Sequence, residues 1–431
     1  MAIKETPKDH PLEVAIIGAG PAGLAAAVEF NKLPYVRWRL YEQANAIREV
    51  GAGISIQRNT WRILDVLGAS KNFEPGSFFR AADGHSVQHR NGRTRELLAS
   101  HTQRETSPDH LHARTRRSVL QQAILKEVDL SHVRLRSRLV HIEQTPTGRV
   151  KLGFQDGFED EVDLLVGADG VRSVARSFAF PDHRISYTGK KAFRSLVTYE
   201  EMASIPDVPR DAVTFWHGPH AWLYTCPLGD NVYEITTMVT EHDESESQVS
   251  WGQEASFDQV TPHFKEFDQK VTDIITLPDS VEQYALFAGP QLTTIVAHDS
   301  IALVGDASHR KSCGVGAGAG FALEDVFVLS RSIAWAHDRH LGLGDALQLF
   351  DQVRSPHYRR LYGILGKFAD TVAYLETLDP KPTFDTAVEV LVQNNWGYEH
   401  SWAYHYNVQE VWKETVEAKD RREASSFQLR L

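Results

Sequence analysis

The sequence predicts a mixed α/β fold, in which a parallel α/β unit is joined to a mostly antiparallel sheet and a helical C-terminal region. Three observations predict it. A strand–turn–helix–strand pattern opens the chain, strand-like runs replace helical patterns between residues 185 and 290, and helical periodicity returns after Leu349. Alternating strands and helices favour a parallel sheet, whereas successive short strands favour an antiparallel one.

The composition excludes several classes of protein. The chain has 431 residues, of which 42% are hydrophobic and 24% are charged, and a formal net charge of −11. This length suggests more than one domain, and the negative charge argues against a nucleic-acid partner. The N-terminal residues lack the apolar core of a signal peptide, and no apolar run reaches the roughly 18 residues of a membrane helix. We therefore expect a cytoplasmic protein without an integral membrane segment.

The cysteine content excludes two further features. Cys226 and Cys313 are the two cysteines of the chain, which is too few for a disulfide framework or for a zinc site built on thiolates. We therefore predict neither a disulfide scaffold nor a bound metal.

The first functional motif lies near the N-terminus. The apolar run LEVAII leads into GAGPAG, where Gly18, Gly20 and Gly23 form the pattern G-x-G-x-x-G, and a helix and a second strand ending at Glu42 follow. Such glycines allow a tight turn and a close approach of the backbone to a pyrophosphate at the helix N-terminus. An acidic residue about 20 positions further on binds the ribose hydroxyls. The pattern predicts a Rossmann-like unit that binds a dinucleotide.

Two later motifs each place a carboxylate after an apolar strand. DLLVGADG contains Asp169, and IALVGDASH contains Asp306. Because ligands of open α/β sheets bind at the carboxyl ends of strands, both carboxylates should lie near the dinucleotide. A glycine-rich run, GVGAGAG, extends from Gly314 to Gly320 and leads into a helix. So much glycine within an otherwise regular segment indicates that backbone comes close to a ligand.

The three motifs, in this order, resemble those of the single-component flavin monooxygenases of the para-hydroxybenzoate and salicylate hydroxylase type. The resemblance extends from about residue 12 to residue 410, and REVGAGISIQRNTWRILDVLG, RRSVL, KAFRSL and WAYHYNVQE are further similar stretches. It implies a Rossmann-like FAD-binding domain formed by residues 1–184 and 291–365. It also implies a substrate-binding β-sheet domain over residues 185–290 and a helical C-terminal segment over residues 366–431.

The resemblance also implies which residues contact FAD. Glu42 would bind the ribose and Asp306 the ribityl chain, while the glycine run would pass beneath the isoalloxazine ring. Arg117 would be the arginine that reaches the cofactor, and Arg114 and Arg116 are alternative candidates for that role. The full set of implied contacts is Gly18, Gly20, Gly23, Glu42, Arg48, Gly53, Ile54, Arg117, Asp169, Asp306, Gly316, Gly318 and Ala319.

Enzymes of this family use NADH or NADPH to reduce FAD, and then O2 to form a flavin C4a-hydroperoxide that oxygenates an electron-rich carbon. The resemblance implies that this chain hydroxylates a phenolic substrate, as in secondary metabolism. Arg194 is the candidate for binding the phenolate, and Tyr224 is a second candidate for binding the substrate oxygen. Strand alternation places Tyr224 on one face with Trp222 and Cys226, so its role depends on which face meets the flavin. A salt-bridged sheet arginine and a core tyrosine are the alternatives.

One position departs from the family pattern. Many relatives carry a proline shortly before the glycine run, and Cys313 occupies that position here. The change removes a fixed φ angle and restores a backbone N–H. We predict that Cys313 lines the flavin pocket.

Other functions remain open from the sequence. The main alternatives are a flavin-dependent epoxidase of an indole alkaloid and a non-catalytic escort protein with the same fold. An NAD-dependent dehydrogenase is disfavoured, because it would not need the two additional aspartate motifs. The expected partners are a small aromatic substrate and O2, in a monomer or homodimer.

Overall fold

The computed structural model of the protein describes residues 10–48, 53–82, 85–102, 107–240, 251–309, 316, 318–396, 402, 403 and 405–428. Cys313 lies outside these residues. The strands are β1 (Leu12–Ile17), β2 (Val36–Tyr41), β3 (Gly53–Ile56), β4 (Phe78–Phe79), β5 (His85–Asn91), β6 (Leu97–Thr102), β7 (Ala113–Arg116), β8 (Val133–Arg134), β9 (Leu139–Gln144), β10 (Val150–Phe154), β11 (Glu159–Val162), β12 (Leu164–Gly167), β13 (Ser186–Thr198), β14 (Thr214–His217), β15 (Ala221–Gly229), β16 (Val232–Thr240), β17 (Trp251–Ala255), β18 (Val281–Ala288), β19 (Val296–Ala297) and β20 (Ile301–Leu303). The helices are α1 (Pro21–Phe30), α2 (Arg58–Leu67), α3 (Arg117–Leu125), α4 (Val174–Ala179), α5 (Tyr199–Ala203), α6 (Gln269–Thr276), α7 (Gly318–Asp338), α8 (Leu343–Thr377), α9 (Phe384–Asn395) and α10 (Val408–Gln428).

A mainly parallel sheet has the strand order β19–β20–β12–β1–β2–β8. All of its pairs are parallel except β19 with β20. Helix α1 packs against α7 in the core beside this sheet, and Ala25, Ala26 and Ala27 of α1 are completely buried there. The predicted Rossmann-like α/β unit is therefore confirmed.

The large second sheet has the order β17–β18–β13–β16–β15–β14–β5–β6. Its pairs are antiparallel except β14 with β5, as the strand-rich stretch from residue 185 to residue 290 predicts. The sheet also includes the hairpin β5–β6, which comes from the first third of the chain. The stacking of the Phe215 ring on His89, with ring centroids 5.3 Å apart, supports that long-range pairing.

The two faces of the large sheet differ in character. On the back face, Phe193, Leu223 and Ile235 share an apolar core with residues of α6 and α9. The opposite side, which we call the front face, collects aromatic and charged side chains. By strand register and alternation, the front face carries His89, Ala192, Arg194, Phe215, His217, Trp222, Tyr224, Cys226, Glu234, Thr236, Met238 and Tyr284.

Two smaller sheets and the C-terminal helices complete the described residues. Strands β3, β7 and β4 form an antiparallel sheet beside the front face, and β9, β10 and β11 form another. Helix α8 packs along α7, and α10 contacts both. In these parts of the chain, every helix is too short or too polar to cross a membrane.

The glycines of the β1–α1 turn have different physical roles. Gly18 has a φ of +101°, and a Cβ there would lie 2.6 Å from the carbonyl oxygen of Ala168. A Cβ on Gly23 would lie 1.8 Å from the carbonyl oxygen of Gly18, whereas a Cβ on Gly20 would meet nothing within 4 Å. Gly18 and Gly23 therefore let strand and helix pack closely, while Gly20 borders open space at the N-terminus of α1.

This difference predicts different effects of two alanine substitutions, one on stability and the other on FAD binding. Gly23→Ala should destabilise the apoprotein by more than about 2 kcal/mol, because its methyl group would overlap backbone. Gly20→Ala should cost about 1 kcal/mol or less as a helix N-cap change, but should weaken FAD binding at least about tenfold because its methyl group occupies the cofactor space. Denaturant unfolding of the apoprotein and fluorescence titration with FAD measure the two effects. Equal destabilisation by both substitutions would contradict this assignment.

Candidate active site

Four adjacent strands of the parallel sheet direct their carboxyl ends to one edge. The loops after β20, β12, β1 and β2 carry Asp306, Asp169, the glycine turn and Glu42, respectively. The structure therefore brings together the residues that the sequence assigns to a dinucleotide, which lie up to 288 positions apart in the chain, from Gly18 to Asp306.

Glu42 holds the glycine turn in place. Its Oε2 accepts a hydrogen bond from the backbone N–H of Ala19 at 2.8 Å, and its Oε1 accepts one from Ala44 at 2.8 Å. Each carboxylate oxygen has a further lone pair, so these bonds leave Glu42 able to accept from a ribose hydroxyl. The ribose assignment fits this position and stays a prediction.

Asp169 organises its own loop. Its Oδ2 accepts hydrogen bonds from the backbone N–H groups of Val174 and Ala175 at 2.7 and 3.1 Å, and its Oδ1 accepts from the Ser173 hydroxyl. Burial raises the pKa of Asp169, while these hydrogen bonds act in the opposite direction. The carboxylate thus fixes the start of α4, and whether it also contacts FAD stays a prediction.

Arg176 ties the GADG loop to the GDASH turn. Its buried guanidinium Nη1 donates to the carbonyl oxygens of Asp306 and Ala307 at 3.3 and 3.1 Å. The Asp306 side chain is exposed at the turn that follows β20. This exposure leaves its carboxylate accessible to a hydroxyl-bearing ligand such as the ribityl chain.

The described part of the glycine run lies against β3 and α2. Gly316 has a φ of +61°, and a Cβ there would lie 3.0 Å from the Ser55 hydroxyl. A Cβ on Gly320 would lie 2.6 Å from the Thr60 hydroxyl. Gly318, the first residue of α7, borders open space, and Ala319 is buried.

The residues present fit FAD. Gly20 and Gly318 both border open space at the N-terminus of a helix, where N–H groups and the helix dipole favour an anionic pyrophosphate or a reduced flavin. Gly170 in the GADG loop borders open space as well. FAD would supply electron transfer and O2 activation at this edge, and the glycines would allow the backbone to approach it.

Three predicted contacts come from the segment before α2. Arg48 is exposed at the end of the described residues 10–48. Ile54 is partly buried against the main core. A Cβ on Gly53 would lie 2.5 Å from Arg114 Nη2 and 2.6 Å from Glu234 Oε2. The absence of a side chain at Gly53 therefore leaves room for the buried ion pair between Arg114 and Glu234.

The three rival arginines occupy different environments. Arg114 on β7 pairs with Glu234, and the two side chains are 7% and 3% exposed. Arg116 forms a surface pair with Asp230, with a 2.9 Å contact. Arg117 is the first residue of α3. Which of the three reaches the cofactor stays a prediction, and Arg117 remains the assigned residue.

Arg117 and Arg194 converge on the same tyrosine. The Arg194 guanidinium lies 5.2 Å from the centre of the Tyr284 ring. Burial raises the pKa of Tyr284 to about 12, its hydrogen bond to Glu282 adds to that, and the positive charges of Arg194 and Arg117 oppose it. Arg194 on the front face and Arg117 at the start of α3 therefore both act on Tyr284.

Tyr224 also lies on the front face, the side next to β3 and β7. The Arg114 guanidinium lies 5.2 Å from the centre of its ring, and Phe215 lies 4.7 Å away on the other strand. Burial raises the pKa of Tyr224 well above its ordinary value, although Arg114 opposes this. Tyr224 is therefore a neutral phenol in a buried polar cluster on the front face, and its role towards the substrate stays a prediction.

A buried charged cluster supports the GDASH turn. Asp325 Oδ2 accepts from the Gly305 N–H at 2.9 Å, and Oδ1 accepts from Arg354 Nε at 2.8 Å. The Tyr358 hydroxyl donates to Asp325 at 2.5 Å, and Arg354 Nη2 lies 3.0 Å from Glu324 Oε2. Sequence reasoning missed this cluster, because its members come from two different helices.

Glu324 is the titratable member of the cluster. Asn59 donates to its Oε1 at 2.8 Å, and His357 Nε2 lies 3.6 Å from its Oε2. Burial raises the pKa of Glu324 to about 7, with Arg354 opposing. Burial and the charge of Arg354 lower the pKa of His357 well below its ordinary value, so that ring is neutral.

Removing the cation of the cluster should be strongly destabilising. Arg354→Met leaves Asp325 as an unpaired buried charge, so the free energy of unfolding should fall by about 3–5 kcal/mol. Arg339→Met is the control, since its partner Asp420 lies at the surface, and about 0–1 kcal/mol is expected there. Denaturant unfolding measures both, and a loss below about 1 kcal/mol for Arg354→Met would contradict the role assigned to the cluster.

Glu324 should also make stability depend on pH. Its folded pKa of about 7 exceeds its ordinary value of 4.5, so the folded protein holds a proton that the unfolded chain has lost between these values. This contribution is fully present below pH 4.5 and is lost as the pH rises through about 7. Relative to wild type, Glu324→Gln should therefore gain about 3 kcal/mol of unfolding free energy across this window.

The measurement is denaturant unfolding of both proteins between pH 4.5 and pH 8, a range that contains both pKa values. Glu143→Gln, at an exposed carboxylate, serves as the control and should follow wild type. Parallel curves for Glu324→Gln and wild type would show that Glu324 is not the titrating group.

Comparison with known proteins identifies the family of this chain. The sequence profile of the FAD binding domain family matches residues 11–360. A 3-amino-4-hydroxybenzoate 2-monooxygenase of Streptomyces platensis is 28% identical over 363 residues, covering 82% of this chain and 86% of that protein. A salicylate hydroxylase of Pseudomonas putida is 27% identical over 382 residues, covering 82% of this chain and 84% of that protein.

Solved structures share the fold. A salicylate hydroxylase substrate complex superposes with a TM-score of 0.79 at 21% identity, covering 95% of this chain and 98% of that one. A Klebsiella pneumoniae protein complexed with FAD and uric acid superposes with a TM-score of 0.68 at 21% identity, covering 94% of each chain. Because the family match spans most of the sequence, the protein belongs to the FAD binding domain family, as an FAD-dependent monooxygenase of the aromatic hydroxylase type.

Proposed function

We propose that the protein uses NADH or NADPH and O2 to hydroxylate a phenolic substrate that binds on the front face as its anion. The observation that carries this proposal is the position of Arg194. It is a cation on the aromatic front face of the large sheet, and the small β3–β7–β4 sheet, whose strand β3 contacts the glycine run, lies beside that face. Arg194 and Tyr224 are the side chains we assign to the substrate oxygen.

Arg194 suits a phenolate. Its planar guanidinium can donate two hydrogen bonds to an oxyanion, and it lies over the Tyr284 ring, which limits its mobility. A fixed cation beside a phenol oxygen favours loss of the phenol proton and stabilises the oxyanion. An ionised phenol is more electron-rich on its ring carbons, so Arg194 would raise the reactivity of the substrate itself.

Aromatic side chains would enclose the substrate ring. Phe215 lies 5.3 Å from Trp222 and 5.2 Å from Trp396, measured between ring centres, and all three are partly exposed. Such rings stack on a flat substrate and exclude water. Tyr224, a neutral phenol at the edge of this wall, could donate a hydrogen bond to the substrate oxygen.

The cofactor would supply electron transfer and O2 activation, and the chain would supply binding and orientation. Arg194 would hold the substrate oxygen, the aromatic wall would fix the plane of the ring, and the N-terminus of α7 would favour negative charge on the reduced flavin. The names of the relatives, a hydroxybenzoate monooxygenase and a salicylate hydroxylase, support a hydroxylated aromatic acid as the substrate class. Arg194 favours this class over a neutral indole.

The test combines an absorbance spectrum with substrate-dependent oxidation of NAD(P)H. The purified protein should show a flavin spectrum, and phenolic acids should accelerate oxidation and gain one oxygen atom from labelled O2. Arg194→Gln should lower kcat for the phenol by about 100-fold, since it removes the oxyanion partner. Lys71→Gln, at an exposed lysine, should leave kcat unchanged.

Two outcomes would contradict the proposal. Acceleration by indoles without acceleration by any phenol would indicate epoxidation or another acceptor. An Arg194→Gln variant as active as wild type would remove Arg194 from the chemistry, whatever the substrate is.

A further inference from the structure

We propose that Glu324 is a redox-linked proton-binding group, which takes up a proton when the bound flavin is reduced and releases it when the flavin is reoxidised. The inference uses the FAD site at the edge of the parallel sheet and does not depend on the identity of the substrate. Its failure and the failure of the proposed hydroxylation are therefore distinguishable.

Two buried carboxylates share one guanidinium. Glu324 and Asp325 are adjacent in α7, and both side chains are 0% exposed. Arg354 of α8 is equally buried and contacts both: its Nε lies 2.8 Å from Asp325 Oδ1, and its Nη2 lies 3.0 Å from Glu324 Oε2. One positive charge cannot neutralise two carboxylates, so one of the two is a natural site for a proton.

Asp325 is the carboxylate with more donors. It accepts hydrogen bonds from the Gly305 N–H, from Arg354 Nε and from the Tyr358 hydroxyl. His309 Nδ1 lies 3.8 Å from its Oδ2 as well. Because hydrogen bonds to the charged form of a carboxyl group favour that form, these donors keep Asp325 ionised.

Glu324 has fewer donors. Asn59 donates to its Oε1 at 2.8 Å, while its Oε2 contacts Arg354 and lies 3.6 Å from His357 Nε2. Burial raises the pKa of Glu324 to about 7, although Arg354 and Asn59 oppose this. Of the two carboxylates, Glu324 is therefore the one that exchanges a proton near neutral pH.

Several elements contribute charged or titratable groups around this carboxylate. Among the described residues, these groups are Arg62 of α2, His309 of the GDASH turn, Asp325 of α7, Arg354, His357, Tyr358 and Arg360 of α8, and Tyr406 before α10. Burial raises the pKa of both tyrosines and lowers that of His357, so these three rings are uncharged. Arg62 is partly exposed, so solvent screens its charge. Arg354 and Asp325 remain as fixed charges next to Glu324.

Glu324 lies near the place predicted for the reduced flavin. It follows Gly318, which borders open space at the start of α7, by six residues, and this length of helix spans about 9 Å. Asn59, the donor to Glu324, also lies against the glycine run, since a Cβ on Gly320 would be 2.9 Å from its Nδ2. A negative charge gained about 10 Å away would raise the proton affinity of a buried carboxylate by about tenfold.

The proposed proton uptake balances the charge of the reduction. NADH or NADPH transfers one hydride to FAD, which gives the anionic reduced flavin and the oxidised nicotinamide. Glu324, ionised beforehand, binds one proton from solvent and so offsets the new negative charge. Reoxidation by O2 consumes one proton and removes the negative charge of the flavin, so Glu324 gives up the proton that it bound.

The first experiment observes the proton directly. Infrared difference spectra between oxidised and reduced holoprotein are recorded at about pH 7.5, just above the pKa of about 7, with electrochemical reduction. In wild type a protonated-carboxyl band should appear on reduction and shift in D2O, and Glu324→Gln should lack it. Glu143→Gln, at an exposed carboxylate, is the control and should keep the band. The measurement needs no substrate and no turnover.

The second experiment measures the midpoint potential of the bound FAD between about pH 5.5 and pH 9, a range that spans the pKa of about 7. Ionised Glu324 disfavours the reduced flavin, whereas protonated Glu324 does not. From the acid to the alkaline end, the reduction equilibrium of wild type should fall about tenfold relative to Glu324→Gln, which is about 30 mV for a two-electron couple. A merely structural role would separate the two curves by a constant amount.

A second variant keeps the test independent of Glu324→Gln. Asn59→Leu removes a hydrogen bond that favours ionised Glu324, so the pH at which reduction produces the carboxyl band should rise by about one unit. If Glu324→Gln does not bind FAD, the wild-type band and its shift in Asn59→Leu decide. The proposal is overturned if wild type shows no such band across this pH range, or if the potentials of wild type and Glu324→Gln run parallel.

Discussion

The buried contact between Arg354 and Asp325 is the interaction on which the rest of the site depends. Asp325 binds the Gly305 N–H, which fixes the turn carrying Asp306, and it lies in α7, the helix that follows the glycine run. Arg354 comes from α8, so one ion pair sets the position of both helices relative to the sheet edge. Buried ion pairs add little net stability compared with apolar packing, but losing one partner is costly. The cluster therefore specifies one arrangement of the cofactor edge.

The second constraint is the close packing around β3. Its residues Gly53 and Ser55 contact the Arg114–Glu234 pair on one side, and Ser55 lies beside Gly316 on the other. This short strand thus links the glycine run to the front face of the large sheet. The link explains why small residues recur here, since a side chain on Gly53 would displace the ion pair. It also brings the residues proposed to bind the cofactor and those proposed to bind the substrate to a common boundary from two different sheets.

Local patterns made much of the fold predictable. Gly18, Glu42, Asp169 and Asp306 could be assigned from sequence because each follows a short apolar strand, and parallel strands bring such ends together. The buried clusters could not be predicted, because Arg354 and Asp325 lie 29 positions apart on separate helices. The hairpin β5–β6 was likewise missed as part of the large sheet, since its pairing with β14 spans more than 100 residues. Alternation in NVYEITTMV could have placed Glu234 and Thr236 on one face, but not opposite Arg114.

The most direct test of the account is a crystal structure of the protein with FAD and salicylate bound. The account predicts the pyrophosphate beside Gly20 at the N-terminus of α1 and the isoalloxazine ring between the N-terminus of α7 and the front face. It also predicts an anionic oxygen of salicylate in contact with Arg194. A flavin ring remote from the glycine run, or salicylate bound away from Arg194, would contradict it.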